Sequence, residues 1–196
     1  MDKLRLVKKT VAVIDTITYT NRKDDTYYLG AVKTKTGKTR YVFARKPNGE
    51  PVPEVPEGYE IAENVHGQVS LRKITPSAIF DLELRQVRSA LKEHAHLADC
   101  RAEVKGKRVI IYEAHNVGLG LEPMHGKFLG RYACYNAVMR FNLVNTKERT
   151  FVVERMCYRG SMEGWLDIHD RGSIGKLARK YLKHVGKESF YSMPWG

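Results

Sequence analysis

Two β-rich runs, Tyr27-Tyr-Leu-Gly-Ala-Val32 and Tyr41-Val-Phe-Ala44, flank a Thr36-Gly37 turn signal and predict an antiparallel hairpin over residues 26–45. Asn48 to Gly58 then holds Pro51, Pro53 and Pro56, which have no donor for a central strand or a helix interior, so it reads as an extended connector. Tyr59 to Val65 and Gln68 to Lys73 predict a second hairpin that turns at His66-Gly67. From Thr75 the period changes. Phe80, Leu84, Val87 and Leu91 recur at helical spacing, with Thr75 as the cap and Pro76 at the first helical position, where its missing N–H costs nothing. The expected helix is amphipathic and packs on a core.

Ala102 to Lys105 and Arg108 to Ala114 predict a third hairpin across Gly106. His115 to Gly130 has four glycines and no sustained period, and reads as a long loop of the kind that often carries function. Beyond it Ala133, Tyr135, Ala137, Met139, Phe141 and Leu143 alternate strictly, and an Asn145-Thr-Lys-Glu148 turn leads to a second β-rich run ending at Tyr158. Ser173 to Val185 closes as a helix with Ile174, Leu177, Tyr181 and Val185 inward and Gly186 as its stop. The fold class expected from this order is α+β, antiparallel β-hairpins with two main amphipathic helices. Residues 1–73 form a β-rich region with the hairpin and the proline connector, and 74–196 an α+β region. The connector either separates two domains or turns a corner within one.

Composition adds limits. A chain of 196 residues with 42% hydrophobic and 29% charged residues can bury a core and is not generally disordered. Charges interrupt every apolar run, so neither a signal peptide nor a membrane span is expected. Cys100, Cys134 and Cys157 are far apart and odd in number, which argues against a disulfide framework and for a reducing, cytoplasmic location.

The charge is the feature that points to a partner. Lys and Arg number 34 against 22 Asp and Glu, for a net +12, and the excess collects at the two ends of the chain while the middle is nearly balanced. Polyanions are therefore the expected partners: RNA or DNA first, then an acidic protein. Around a two-residue turn Lys35 would face Lys38 and Lys33 would face Arg40, a pairing that an anion would relieve, although lysines also serve as ordinary edge protection. In the last helix Lys176, Arg179, Lys180 and Lys183 lie opposite the apolar face, with no acid from Arg171 to Lys187, and can either track phosphates or form a solvated helix face. Pairing the 131–158 hairpin through its four-residue turn sets Arg140, Arg155 and Arg159 with Phe151, Asn136 and Asn142 on the face away from Met139 and Phe141. That would be a surface for stacking and phosphate contact, although Val138 and Val153 share the face and would equally suit a place under a helix.

Catalytic signals are sparse. His115 and His125 in the glycine-rich segment, with Lys127 nearby, and His169 between Asp167 and Asp170 are the candidate acid and base of a metal-independent nuclease. His94, His96 and Cys100 lack the four-ligand spacing of a structural zinc site, so no metal is expected. Gly118-Leu-Gly120 does not complete a dinucleotide fingerprint, and no phosphate-loop motif occurs, so no cofactor is expected.

Three stretches are distinctive as text. Lys33 to Phe43 goes with Pro56-Glu-Gly-Tyr-Glu-Ile61 and Gln68 to Lys73; Arg149 to Arg159 runs into Gly160-Ser-Met-Glu-Gly-Trp165; Lys180-Tyr-Leu-Lys-His-Val-Gly186 is followed by Ser189-Phe-Tyr191. Together they resemble a family of uncharacterised bacterial proteins without an assigned activity. The resemblance implies a single bacterial-type intracellular protein and transfers no residue role. The expectation is a non-enzymatic protein that contacts RNA or DNA phosphates, with docking of an acidic partner chain as the alternative and a small nuclease as the third reading.

Overall fold

The structure is a computed structural model that describes residues 15–115, 133–159 and 162–193, apart from the side chains of 158–159 and 162–163. It is an α+β protein built on antiparallel sheets. The strands are β1 (Thr18–Thr20), β2 (Thr26–Lys33), β3 (Thr39–Ala44), β4 (Glu50–Pro51), β5 (Tyr59–Glu63), β6 (Val69–Lys73), β7 (Arg101–Lys105), β8 (Arg108–His115), β9 (Cys134–Asn145), β10 (Thr150–Arg159) and β11 (Met162–Gly172). The α-helices among the described residues are α1 (Asp81–Lys92), α2 (Ile174–Tyr181) and the single turn α3 (Glu188–Tyr191). Contacts divide the chain into two compact units. The first comprises residues 15–21, 25–62 and 69–73, and the second 22–24, 63–68 and the described residues from 74 onward.

In the first unit β1, β2 and β3 form a sheet, with β4 paired to the β1 edge of β2, and β5 pairs with β6. Leu29, Phe43, Val52 and Val69 form its core. Residues 48–50 cross β2 so closely that a side chain on Gly30 would overlap the Asn48 carbonyl oxygen, and Gly49 sits at φ 80° against Ala31. The hairpin tip is a five-residue loop, Thr34 to Lys38, rather than a two-residue turn. Gly37 takes φ 78°, and the Thr34 hydroxyl accepts from the Lys38 N–H at 3.1 Å. The extra residues move the register, so that Lys33 pairs with Thr39 and Val32 with Arg40.

The second unit is a meander, β11-β10-β9-β8-β7, with α1 and α2 packed together on one face. Val109, Ile111, Met139, Phe141, Leu143, Phe151 and Val153 point at the helices. They meet Val87, Leu91, Ile174, Leu177 and Leu182 in the larger core. Two bulges break the alternation of β9. The partner of β10 steps from Asn145 to Leu143, skipping Val144, and the partner of β8 steps from Met139 to Ala137, skipping Val138. Each extra residue reverses which side chains face the helices. Tyr135 and Ala137 therefore lie with Tyr112 on the opposite face, under Val65, while Met139 and Phe141 stay with the helices.

α1 begins at Asp81, five residues beyond the Pro76 start expected. The Ser77 hydroxyl accepts the Ile79 N–H at 3.1 Å, Ile79 is buried, and the Glu83 carboxylate accepts the Phe80 N–H at 2.8 Å, so the chain bends at 78–79 and enters the helix through an extended Phe80. Phe80 stays 56% exposed instead of joining the core. β11 was not foreseen. Its charged Asp167-Ile-His-Asp170 stretch conceals the apolar alternation of an edge strand, and Ile168 is the one buried side chain among its described residues.

Candidate nucleic-acid interface

The outer surface of the two-helix layer is where charge gathers. α1 buries Val87, Ala90 and Leu91, and the rotation that places them inward turns Arg85, Arg88 and Lys92 to solvent at i, i+3 and i+7. α2 buries Ile174, Leu177, Ala178 and Tyr181 and turns Lys176, Arg179 and Lys180 outward, with Lys183 exposed in the 3-10 turn that follows. Gly175 lets the helices meet closely: a Cβ there would come within 2.8 Å of the Gln86 amide oxygen. The two packed helices thus turn a row of cations each to solvent, the α1 row beginning at the exposed acid Asp81.

Among the described residues, Arg85, Arg88, Lys92, Lys176, Arg179 and Lys183 form no ion pair with an acid. Lys180 is different. Its Nζ donates to Asp170 Oδ2 at 2.6 Å, and the Tyr181 hydroxyl donates to the same oxygen at 2.7 Å. These two bonds hold the Asp170 carboxyl below its ordinary range, and the same bond to Asp170 raises the Lys180 ammonium. Asp170 is therefore a fixed anion within the basic layer.

The other expected residues divide. In the first unit Lys33, Lys35, Lys38 and Arg40 are all exposed at the hairpin tip, but Lys33 and Arg40 emerge on opposite faces because of the one-residue register change. In the second unit Arg155 is a correction. It pairs with Met139 on the helix side and is 4% exposed, so it is no part of a surface. Phe151 is buried with it, again because of the Val144 bulge. Arg140 and Asn142 do lie on the face away from the helices, whereas Asn136, paired with Glu113, does not. Arg140 is engaged there: its guanidinium pairs with Glu154 and stacks 4.3 Å from the Trp165 ring. Arg159 ends β10 opposite Met162, and its side chain lies outside the described residues.

The sheet face away from the helices carries basic and aromatic side chains that bind one another. Arg101 Nε donates to the Tyr135 hydroxyl at 2.8 Å and Lys105 Nζ to the Tyr112 hydroxyl at 2.9 Å. Val65 and His66 cover the two rings, both of which are buried. Arg22 fills the same cluster, pairs with Glu63, donates to the Val65 carbonyl, and has its pKa lowered chiefly by burial. Buried rings offer no platform for bases. The exposed cations of the helical layer are not engaged in this way.

Among the described residues the histidines do not assemble. His115 ends β8 with Nε2 4.0 Å from Glu113, His169 occupies an exposed β11 bulge at φ 57°, and His125 and Lys127 lie outside the described residues. His94 and His96 stack at 5.7 Å, while burial pushes the Cys100 thiol up to about 12, and no group of acids, histidines and cysteines among the described residues is set to hold a metal. No described helix is long and apolar enough to cross a membrane. Sequence reasoning passed over Arg85, Arg88 and Lys92, although their i, i+3, i+7 spacing opposite Val87 and Leu91 was the available signal. No family model, curated protein or solved structure matches the chain.

Proposed function

We propose that this protein is a non-enzymatic, cytoplasmic nucleic-acid binder that grips RNA or DNA through its phosphates, with little reading of bases. The observation that carries the proposal is the helical layer, where six exposed cations on α1, α2 and the following turn have no acidic partner among the described residues. Such a layer pays no desolvation of internal ion pairs when it meets a polyanion, and each phosphate neutralised releases condensed counterions. Base-specific recognition needs side chains placed in a groove or rings free to stack. The layer presents arginines and lysines instead, and Tyr112 and Tyr135 of the large sheet are buried. The exposed lysines of the 34–38 loop supply further phosphate contacts in the first unit. Three free cysteines fit a reducing compartment.

A fluorescence anisotropy titration with labelled RNA and DNA of several sequences tests this. Binding at low salt should vary little with sequence, and log K should fall with log salt at a slope of about −5 if all six cations meet phosphates of a B-form duplex. Absence of binding at low salt, or equal retention on a polyglutamate chain after nuclease treatment, would point to the acidic-protein reading instead.

A further inference from the structure

We propose that Arg155 anchors a second and separate anion site, buried beneath the α3 turn, which takes a small carboxylate or phosphate. Arg155 stands in β10 between Met139 of β9 and Leu166 of β11, on the face that carries Phe141 and Val153 into the main core. The residue is 4% exposed, its Nε is sealed from solvent without a hydrogen-bond partner, and no described acid pairs with it. Its contacts with α3 are thin. Nη2 reaches the Tyr191 carbonyl at 3.4 Å, and the guanidinium lies 5.9 Å from the centre of the Phe190 ring.

A guanidinium cannot shed its proton to escape burial, and it offers five donors in a planar fork. The comparison within the same hairpin is direct. Arg140 has Glu154, and Arg149 has Glu83, while Arg155, more buried than either, has no carboxylate among the described residues. A two-oxygen anion would satisfy Nε and an Nη together in the bidentate geometry that arginine favours. The cover is suited to admitting one. α3 is a single turn of four residues, preceded by Gly186 at φ 74°, with Tyr191 half exposed and Phe190 seated in the core, so an anion reaches Arg155 by lifting one turn and one ring rather than a whole helix. This site is independent of the helical layer, since it takes a discrete anion inside the core rather than a polymer across the surface.

Calorimetric titration and thermal melts at constant ionic strength test the site on the whole chain. Inorganic phosphate, acetate and chloride are compared on the unaltered protein and on Arg155→Met and Arg155→Lys. Phosphate or acetate should bind one to one and raise Tm by about 3 °C or more over chloride. Arg155→Met should lose that shift, and Arg155→Lys, which keeps the charge but not the fork, should lose most of it. Which of the two anions acts identifies the ligand class. Equal shifts in the unaltered protein and Arg155→Met would overturn the proposal, because exclusion of the salt from the surface would then explain them. So would titration of the unaltered protein with no heat and no anion-dependent shift, a reading that needs no variant to fold.

Discussion

Arg149, held at φ 52° where the β9–β10 turn ends, forks its guanidinium onto Glu83 in the first turn of α1, with Nε donating to Oε1 at 2.8 Å. Glu83 in turn accepts the Phe80 N–H, so one carboxylate caps the helix and clamps it to the sheet. Arg149 also donates to the Ala78 carbonyl at 3.0 Å and lies 3.9 Å over the Phe80 ring. The left-handed backbone at a non-glycine residue is held in place by these four contacts.

Removing the carboxylate should therefore cost more than a surface pair does. Glu83→Ala leaves a partly buried guanidinium and an uncapped helix, and we expect about 3 kcal/mol of lost stability by urea melts. A loss under 1 kcal/mol would mean that the clamp contributes no more than an exposed ion pair.

Gly30→Ala should be similarly severe, about 2–4 kcal/mol, because the crossing at Asn48 leaves no room for a methyl group. Gly172→Ala, where the added group meets nothing within 4 Å, should fall within about 0.5 kcal/mol of the unaltered protein. Equal effects in parallel melts would contradict the close approach of residues 48–50 to β2.

Asp170 links acidity to both stability and binding. Its carboxyl is held below the ordinary value of 3.8, first by Lys180 and then by Tyr181, so its contribution is complete above that value and is lost as pH falls through the lowered one. Asp170→Asn should flatten that part of the acid unfolding curve. The same change frees Lys180 and removes a fixed anion from the helical layer, so nucleic-acid affinity at neutral pH should rise about two- to five-fold. An unchanged or weaker affinity would place Lys180 outside the interface.

Thiol reactivity should follow burial. Cys134 is exposed, whereas the Cys100 thiol is pushed up to about 12, first by burial and then by Glu113 and Asp99. At pH 8 an alkylating reagent should modify Cys134 rapidly and Cys100 only when the chain unfolds, as peptide mass mapping would show. Rapid modification of Cys100 in the native protein would contradict its placement against the core.

The hairpins, the α+β class and the closing helix were legible because each rests on local signals: turn glycines, proline punctuation and helical spacing. The faces of β9 and β10 were not. Val144 and Val138 look like any other strand residues, yet one extra residue at each bulge moves Arg155 from an expected surface into the core and sends Tyr135 to the other side of the sheet. A similar limit applied at the tip of the first hairpin, where a five-residue loop set Lys33 against Thr39. The α2 cations were read directly from their spacing. The spacing of Arg85, Arg88 and Lys92 marked an exposed row on α1 as well, and what it did not contain is that α1 lies beside α2.

The most direct measurement is the salt dependence of nucleic-acid binding by the unaltered protein and by a variant carrying Arg85→Gln, Lys92→Gln, Lys176→Gln and Lys183→Gln. These four side chains are exposed and form no ion pair with a described acid, so the variant should retain the melting behaviour of the parent. If the helical layer is the interface, its log K against log salt slope on duplex DNA should be shallower by about 3–4 and its low-salt affinity lower by at least a hundredfold. Identical slopes and affinities in the two proteins would contradict it.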